Sequence, residues 1–160
     1  WFSEEDDSCY NDFIEALLSN DIDSMNDFMN EIALQSFSFF DSGKQSSKKT
    51  QPERFYHGFV LGLIIDLANQ YRITSNRESG FGRYDIVLEP LQSYLDAIVI
   101  EFKVYNARKE ESLQDTVNVA LTQIREKNYD ADLLAKGIPA ERIRHYGFAF
   151  KGKEVLIGSD

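Results

Sequence analysis

The chain has 160 residues, of which 42% are hydrophobic and 13% aromatic, a composition typical of a globular domain with a buried core and not of a disordered segment. Its single cysteine, Cys9, excludes an internal disulfide and fits a reducing compartment. No apolar stretch is long enough to cross a membrane, and the acidic start of the chain is unlike a signal peptide, so we expect a cytoplasmic protein with no membrane partner.

The formal net charge of -10 is concentrated at the start of the chain. Residues 1–43 contain eleven acidic residues and no lysine or arginine, whereas residues 44–160 contain the other sixteen acidic residues and all seventeen basic ones. The second part therefore has a balance of +1 (17 minus 16). A nearly neutral domain can bind phosphates when metal ions and a few basic side chains contribute, so the overall acidity does not exclude nucleic acid as a partner.

The first part of the chain is predicted to be helical. Apolar residues recur at helical spacing and predict two amphipathic helices, at about 8–19 and 22–35. The polar stretch 41–50, rich in serine and lysine, predicts an exposed loop. We therefore expect an acidic N-terminal helical segment at 1–43 and a main domain at 52–160.

The main domain is predicted to combine helices and strands in the order α–β–β–β–α–α–β–β. Its first helix begins near Pro52, a residue suited to a first helical turn, and keeps a 3.6-residue apolar period. Glycines and a proline mark the ends of later elements. The remaining elements are strands at 71–78, 83–90 and 97–104, helices at 112–129 and 131–138, and a closing hairpin at 143–158.

The strand "AIVIEFKV", residues 97–104, carries two charges that a buried strand does not usually tolerate. Alternation directs Ile98, Ile100, Phe102 and Val104 to one face and Ala97, Val99, Glu101 and Lys103 to the other. A strand this apolar is expected to lie centrally and to be covered on both faces. A carboxylate there is costly unless it is paired or bound to a metal ion.

Asp85 offers an explanation for these charges. It begins the preceding predicted strand, and a short antiparallel connection would bring it beside Glu101. Two adjacent carboxylates repel each other, whereas a hard divalent cation such as Mg²⁺ or Mn²⁺ removes the repulsion and prefers oxygen ligands. Lys103 would then hold a nucleophilic water and stabilise charge that develops on a phosphate. The open alternative is a structural salt bridge on a half-exposed strand.

Asp85 followed by Glu101-Phe102-Lys103 resembles the active-site motif of the PD-(D/E)XK nuclease superfamily. Further segments occur in the matching order: "ERFYHGFVLGLI", "SNRESGFGRYDIVL", "ALTQIREKNY" and "IRHYGFAFKGKEVLI". Together they resemble the PD-(D/E)XK domain found at the C-terminus of bacterial AAA-ATPase-like proteins of unknown function, over roughly Pro52 to Ile157. The resemblance implies an α/β fold with a restriction-endonuclease-like core, a mixed β-sheet flanked by helices.

The resemblance also implies roles for particular residues. Asp85 and Glu101 match the metal-binding acids and Lys103 the catalytic lysine, while Tyr84 stands where the superfamily name has a proline, at a position that varies. Many members carry a further glutamate on the first helix, which points to Glu53.

Several accessory residues have structural readings as well as functional ones. Glu78 is a second candidate for the additional glutamate, but it could simply pair with a neighbouring arginine. Gln123 and Tyr129 resemble the glutamine and tyrosine that exonuclease-like members place after the ExK strand. His57 is either a core histidine or a catalytic one. Arg83 either contacts phosphate or balances the acidic residues.

The sequence therefore predicts a Mg²⁺- or Mn²⁺-dependent nuclease that acts on nucleic acid, with DNA the expected substrate. The first residue is Trp1, which leads us to expect a piece of a longer protein with an ATPase-like domain upstream. The alternative is a catalytically inactive module that keeps the nuclease fold and serves that ATPase domain. The acidic surface and the lack of an obvious basic groove favour the alternative, and the retention of all three motif residues opposes it.

Overall fold

The computed structural model of the chain describes residues 4–36, 50–76, 78–79, 82–83 and 85–160, and the side chains of residues 11–34, 55–76 and 85–160. The α-helices are α1 (Glu4–Ser19), α2 (Ile22–Ser36), α3 (Thr50–Ile64), α4 (Leu113–Glu126) and α5 (Ala131–Ala135). The strands are β1 (Tyr71–Ser75), β2 (Glu78–Ser79), β3 (Gly82–Arg83), β4 (Ile86–Pro90), β5 (Ala97–Val104), β6 (Ile143–Lys151) and β7 (Glu154–Ser159). Short 3-10 helices cover Ile65–Asn69 and Ala140–Arg142. Over the described part of the chain, no helix has the length and apolar character needed to span a membrane.

Five strands form one mixed sheet in the order β1-β4-β5-β6-β7. All neighbouring pairs are antiparallel except β5 and β6, which are parallel and therefore need a crossover connection, supplied by α4 and α5. Strand β5 is the middle strand of the five, as its apolar sequence predicts. The helix-flanked mixed sheet confirms the predicted α/β fold class.

The two faces of β5 belong to two separate cores. Ile98, Ile100 and Phe102 face the core shared with α1, α2 and α3. Ala97 and Val99 face the second core, which they share with α4 and α5. The alternation read from the sequence is therefore confirmed, and Glu101 faces the α4 side of the sheet. The N-terminal helices pack on the opposite side, so they cover the sheet without covering Glu101.

The predicted strand boundaries around Asp85 are wrong. The strand expected at 83–90 begins only at Ile86, and Arg83 lies in a separate two-residue strand that pairs with Glu78. The strand expected at 71–78 likewise ends at Ser75. Asn76 adopts a left-handed conformation with φ of 52°, which breaks the extended chain at this point.

Helix α2 covers the outer edge of β7, the last strand of the sheet, through two asparagine side chains. The Asn26 amide both donates to the main-chain oxygen of Ile157 and accepts from its N–H, at 3.0 and 2.7 Å. One helical turn later, Asn30 makes the same pair of bonds with Val155, at 2.8 and 2.9 Å. These amides satisfy main-chain groups that an edge strand otherwise offers to another chain.

Helix α4 lies unusually close to the sheet because two glycines face it. A Cβ atom added at Gly147 would lie 2.9 Å from the Val117 main-chain oxygen and 3.1 Å from Ala120 Cβ. One added at Gly158 would lie 2.7 Å from Val117 Cγ1. The helix begins with a capping box in which Ser112 and Asp115 bond reciprocally, which fixes its first residue, while the two glycines allow its close approach to the sheet.

Candidate functional site

Asp85 lies immediately before β4 and extends the hydrogen-bond ladder with its side chain. Its Oδ2 atom accepts from the main-chain N–H of Phe102 at 2.8 Å. Burial raises the pKa of the Asp85 carboxyl above its ordinary value, while the Phe102 N–H and the Lys103 charge act in the opposite direction. The net effect of the surroundings is to disfavour the ionised form, which a bound cation would restore.

Glu101 is the most constrained acidic side chain of the site, being only 2% exposed. The Lys103 ammonium donates to Glu101 Oε1 at 2.5 Å. The same oxygen accepts a hydrogen bond from Gln123 Nε2. A buried carboxylate is tolerated when it is paired and hydrogen-bonded, and these two donors meet that condition at Oε1.

Asp85 and Glu101 are brought together by strand register. Ile86, the first residue of β4, pairs with Ile100 in the antiparallel β4–β5 ladder, so Asp85, immediately before β4, lies opposite Glu101 on β5. The bond from Phe102 N–H to Asp85 fixes the carboxylate at the same point. The predicted neighbourhood of Asp85, Glu101 and Lys103 therefore exists, although the roles assigned to them stay predictions.

Gln123 and Tyr129 reach the same carboxylate from the helical side. Gln123 lies in α4 and donates through Nε2 both to Glu101 and, at 2.9 Å, to the Tyr129 hydroxyl. Tyr129 follows the helix and is 2% exposed. Burial raises the pKa of the Tyr129 hydroxyl, so the phenol stays protonated as a neutral acceptor for the amide. The two residues predicted to line the site are thus linked to each other and to Glu101.

His57 approaches Asp85 from the other side of the sheet. It lies on α3, with Nε2 2.8 Å from Ser75 Oγ and 3.2 Å from the main-chain oxygen of Asp85. Its ring centroid is 5.6 Å from that of Phe102. These contacts place His57 against the backbone of Asp85, where it supports the position of that residue.

A family comparison agrees with this geometry. The family model described as PD-(D/E)XK nuclease superfamily matches residues 51–160. The chain belongs to the PD-(D/E)XK nuclease superfamily. The mixed five-stranded sheet flanked by helices is consistent with the restriction-endonuclease-like fold, and membership indicates nuclease activity in general terms. No curated protein is similar enough to this chain to count as a match.

Superfamily nucleases generally use divalent metal ions, typically Mg²⁺, and the donor set here fits one. Asp85 and Glu101 supply carboxylate oxygens on adjacent strands, the ligand type that Mg²⁺ prefers. Among the described residues, no group of three or more His, Cys, Asp or Glu side chains is placed to hold a metal. Two carboxylates completed by water and substrate phosphate oxygens match the usual way in which Mg²⁺ binds to proteins.

Three predicted accessory residues have side chains outside the described part of the structure. Glu53 lies in α3, Glu78 in β2 and Arg83 in β3, and at these three positions only the course of the main chain is described. Arg83 lies in β3, whereas Asp85 lies immediately before β4, so the two residues do not belong to one strand. Their functional roles stay predictions.

Sequence reasoning missed the residues that hold Asp85 in place. The Asn76 N–H donates to the main-chain oxygen of Asp85 at 2.9 Å, and Ser75 contacts His57 beside it. It also missed Gly147, which pairs with Glu101 in the β5–β6 ladder and, because it has no side chain, lets α4 pack close to the sheet. The available signal was the asparagine itself, because asparagine adopts left-handed backbone conformations more readily than most residues.

Proposed function

We propose that this domain is a metal-dependent nuclease that hydrolyses phosphodiester bonds of nucleic acid, with DNA as the substrate. The observation that carries the proposal is the buried Glu101 carboxylate, which accepts hydrogen bonds from Lys103 and Gln123 and lies on the strand beside Asp85. A fold gains little stability from a buried ion pair, so a functional reason for keeping one is favoured.

Each residue of the cluster has a defined task in this proposal. Asp85 and Glu101 would hold one or two Mg²⁺ or Mn²⁺ ions, which supply a water of lowered pKa and neutralise charge on the phosphate. Lys103 orients the attacking water through an N–H donor and stabilises the negative charge that develops on the phosphate oxygens. Gln123 fixes the orientation of Glu101, and Tyr129 in turn fixes the amide of Gln123.

Basic side chains at the same end of the sheet support a phosphate backbone as the ligand. Because β5 and β6 are parallel, their C-terminal ends lie at the same end of the sheet, which is the end that carries the motif. The loop after β5 carries exposed Arg108 and Lys109, while Lys151 ends β6 and Lys153 lies in the turn that follows it. Lys151 Nζ lies 4.7 Å from the centre of the Tyr105 ring, which holds it over that loop. Such cations attract a nucleic-acid backbone despite the acidity of the whole chain.

The proposal includes an ATPase-like domain upstream in a longer protein, whose nucleotide hydrolysis would move or open the nucleic acid presented to the nuclease site. Its support is the order of the sequence segments from "ERFYHGFVLGLI" to "IRHYGFAFKGKEVLI". The reading frame that precedes Trp1 tests this directly, since it should encode a phosphate-binding loop.

The decisive experiment is a nicking assay with supercoiled plasmid DNA. The protein should nick DNA with Mg²⁺ or Mn²⁺ and not in EDTA. Lys103→Ala should reduce the rate about 100- to 1,000-fold, the usual loss when one transition-state donor is removed. Lys127→Ala, which removes an exposed lysine just beyond α4, is the matched control and should retain activity. No cleavage of DNA or RNA by the wild-type protein would contradict the proposal.

Calorimetric titration with Mn²⁺ separates an active nuclease from an inactive module of the same fold. Wild type should bind the ion, and Asp85→Asn should lose most of the affinity because one carboxylate ligand is removed. Asp66→Asn, at an exposed position beside α3, should bind as wild type does. If wild type binds no ion, the domain is the inactive module that the sequence left as the alternative.

A further inference from the structure

A pocket of about 310 Å³ opens beside the motif residues, on the same side of the sheet. Strands β1 and β4 form one wall and helix α5 the other. Its lining includes Thr74, Val87, Glu89, Tyr129, Leu133 and Lys136. The volume lies at the lower end of the range for small-molecule sites, so the pocket has room for one compact ring system and not for a duplex.

One residue, Tyr129, belongs both to the pocket lining and to the hydrogen-bond chain of the candidate site. Tyr129 lines the pocket while its hydroxyl bonds to Gln123, the partner of Glu101. Val87 and Glu89 point to one face of β4, and Asp85, immediately before the strand, continues this alternation, so Val87 lies about 7 Å beyond Asp85. A ligand whose phosphate is held at Asp85 and Glu101 could therefore place a neighbouring group in this pocket.

The lining chemistry selects a planar ligand with N–H donors. Val87, Leu133 and the Tyr129 ring offer apolar surface suited to the face of a ring. Glu89 offers carboxylate acceptors at the rim, held in place by Lys136 Nζ at 2.5 Å and Arg72 at 3.4 Å. Glu89 and the neighbouring Asp132 disfavour a phosphate inside the pocket, whereas a carboxylate readily accepts from an amino group such as that of cytosine.

We propose that this pocket binds a single unpaired nucleobase carrying an amino group, from the strand whose phosphate occupies the candidate site. This inference rests on the proposed nuclease function and adds a specificity determinant to it. The base stacks on the apolar lining, and its amino group donates to Glu89. Because a paired base cannot enter so small a pocket, the substrate is single-stranded at this position or has its base turned out of the duplex.

The test measures binding of three short single strands by fluorescence anisotropy: oligo-dC, oligo-dT and an oligomer of abasic residues. All proteins carry Lys103→Ala and are assayed in Mg²⁺, so that turnover is suppressed while both carboxylates remain. Oligo-dC should bind about 10-fold more tightly than the abasic strand, the order expected for one stacked base. Glu89→Gln should bring the affinities for oligo-dC and oligo-dT close together, because it removes the charged acceptor.

A filled pocket provides the second arm of the test. Ala135→Trp places a large ring in the pocket from an exposed position of α5, and should abolish the preference for oligo-dC over the abasic strand. Leu134→Trp makes a similar change at the adjacent exposed residue outside the pocket, and should keep the preference. Equal thermal unfolding midpoints of the two variants show that both fold. The base pocket is overturned if Ala135→Trp still prefers oligo-dC over the abasic strand and Glu89→Gln still prefers oligo-dC over oligo-dT.

Failure of the pocket and failure of the nuclease proposal give different results. Bis(p-nitrophenyl) phosphate is a phosphodiester without a base, so its hydrolysis by proteins with Lys103 intact tests only the metal site. If Ala135→Trp hydrolyses it as fast as Leu134→Trp but neither change affects strand preference, the pocket is refuted and the nuclease stands. If wild type hydrolyses neither this diester nor any nucleic acid, the nuclease proposal fails, whatever the strands bind.

Discussion

The close approach of α4 to the sheet at Gly147 makes a quantitative prediction possible. Gly147→Ala adds a Cβ atom 2.9 Å from the Val117 main-chain oxygen and 3.1 Å from Ala120 Cβ, and neither neighbour is the far end of a flexible side chain. The helix must therefore move outward by a few tenths of an ångström. Overpacking of this kind costs about 2 kcal/mol of unfolding free energy. For a chain of this size, that loss lowers the melting temperature by about 4–8 °C.

The same substitution should also weaken the candidate site. Gly147 is the register partner of Glu101, and α4 carries the Gln123 that donates to this carboxylate. An outward shift of the helix lengthens the Gln123–Glu101 contact, so Mn²⁺ affinity and nicking rate should fall together with stability.

The matched control is Gly62→Ala on the exposed side of α3. No atom lies within 4 Å of a Cβ added there, so the helix should gain about 0.5–1 kcal/mol. Urea unfolding and thermal melts of both variants, together with Mn²⁺ titration, provide the measurement. The packing argument would be refuted if Gly147→Ala matched wild type in stability and in metal affinity.

Two further predictions concern the site. Because burial raises the pKa of Asp85, its ionised form destabilises the metal-free fold. Asp85→Asn should therefore have a higher melting temperature than wild type in EDTA at pH 7. The difference should vanish as the pH falls through the raised pKa of the folded state towards the pKa of about 4 in the unfolded state. A melt series from pH 3 to 8 checks this, and an Asn variant less stable at pH 7 would contradict it. Tyr129→Phe removes the hydroxyl that accepts from Gln123 and should cost about 1 kcal/mol in urea unfolding. Unchanged stability would show that water replaces the hydroxyl.

The alternation within β5 was predictable from the sequence because it is a local property. The run "AIVIEFKV" coincides with the observed strand, and its two faces belong to the two cores as expected. The neighbourhood of Asp85 and Glu101 was predictable for a similar reason, since a short antiparallel connection leaves few possible registers. The first residue of β4 was not predictable, because it depends on the left-handed turn at Asn76 and its bond to Asp85.

Contacts between distant segments lay beyond local patterns. The parallel pairing of β5 with β6 joins residues more than forty positions apart, and it alone places Gly147 beside Glu101. The same holds for Asn26 and Asn30, whose side chains bond to main-chain groups about 130 residues away. Helical periodicity marks these asparagines as polar positions of α2, but no local signal shows that a strand edge lies opposite them. Such contacts follow only from the assembled fold.

The environment of the Glu101–Lys103 pair favours the proposed functional site over a purely structural ion pair. Replacing a buried ion pair by well-packed apolar residues is often neutral or stabilising, so stability alone does not explain an ion pair in a buried position. Here Glu101 is 2% exposed on a strand whose preceding same-face residues are Val99 and Ala97, so an apolar residue would continue the second core without desolvating a charge. The fold therefore carries a buried carboxylate that packing alone does not require. Its donors, and the neighbouring Asp85 whose ionised form burial disfavours, are consistent with a site whose most stable state includes a bound cation.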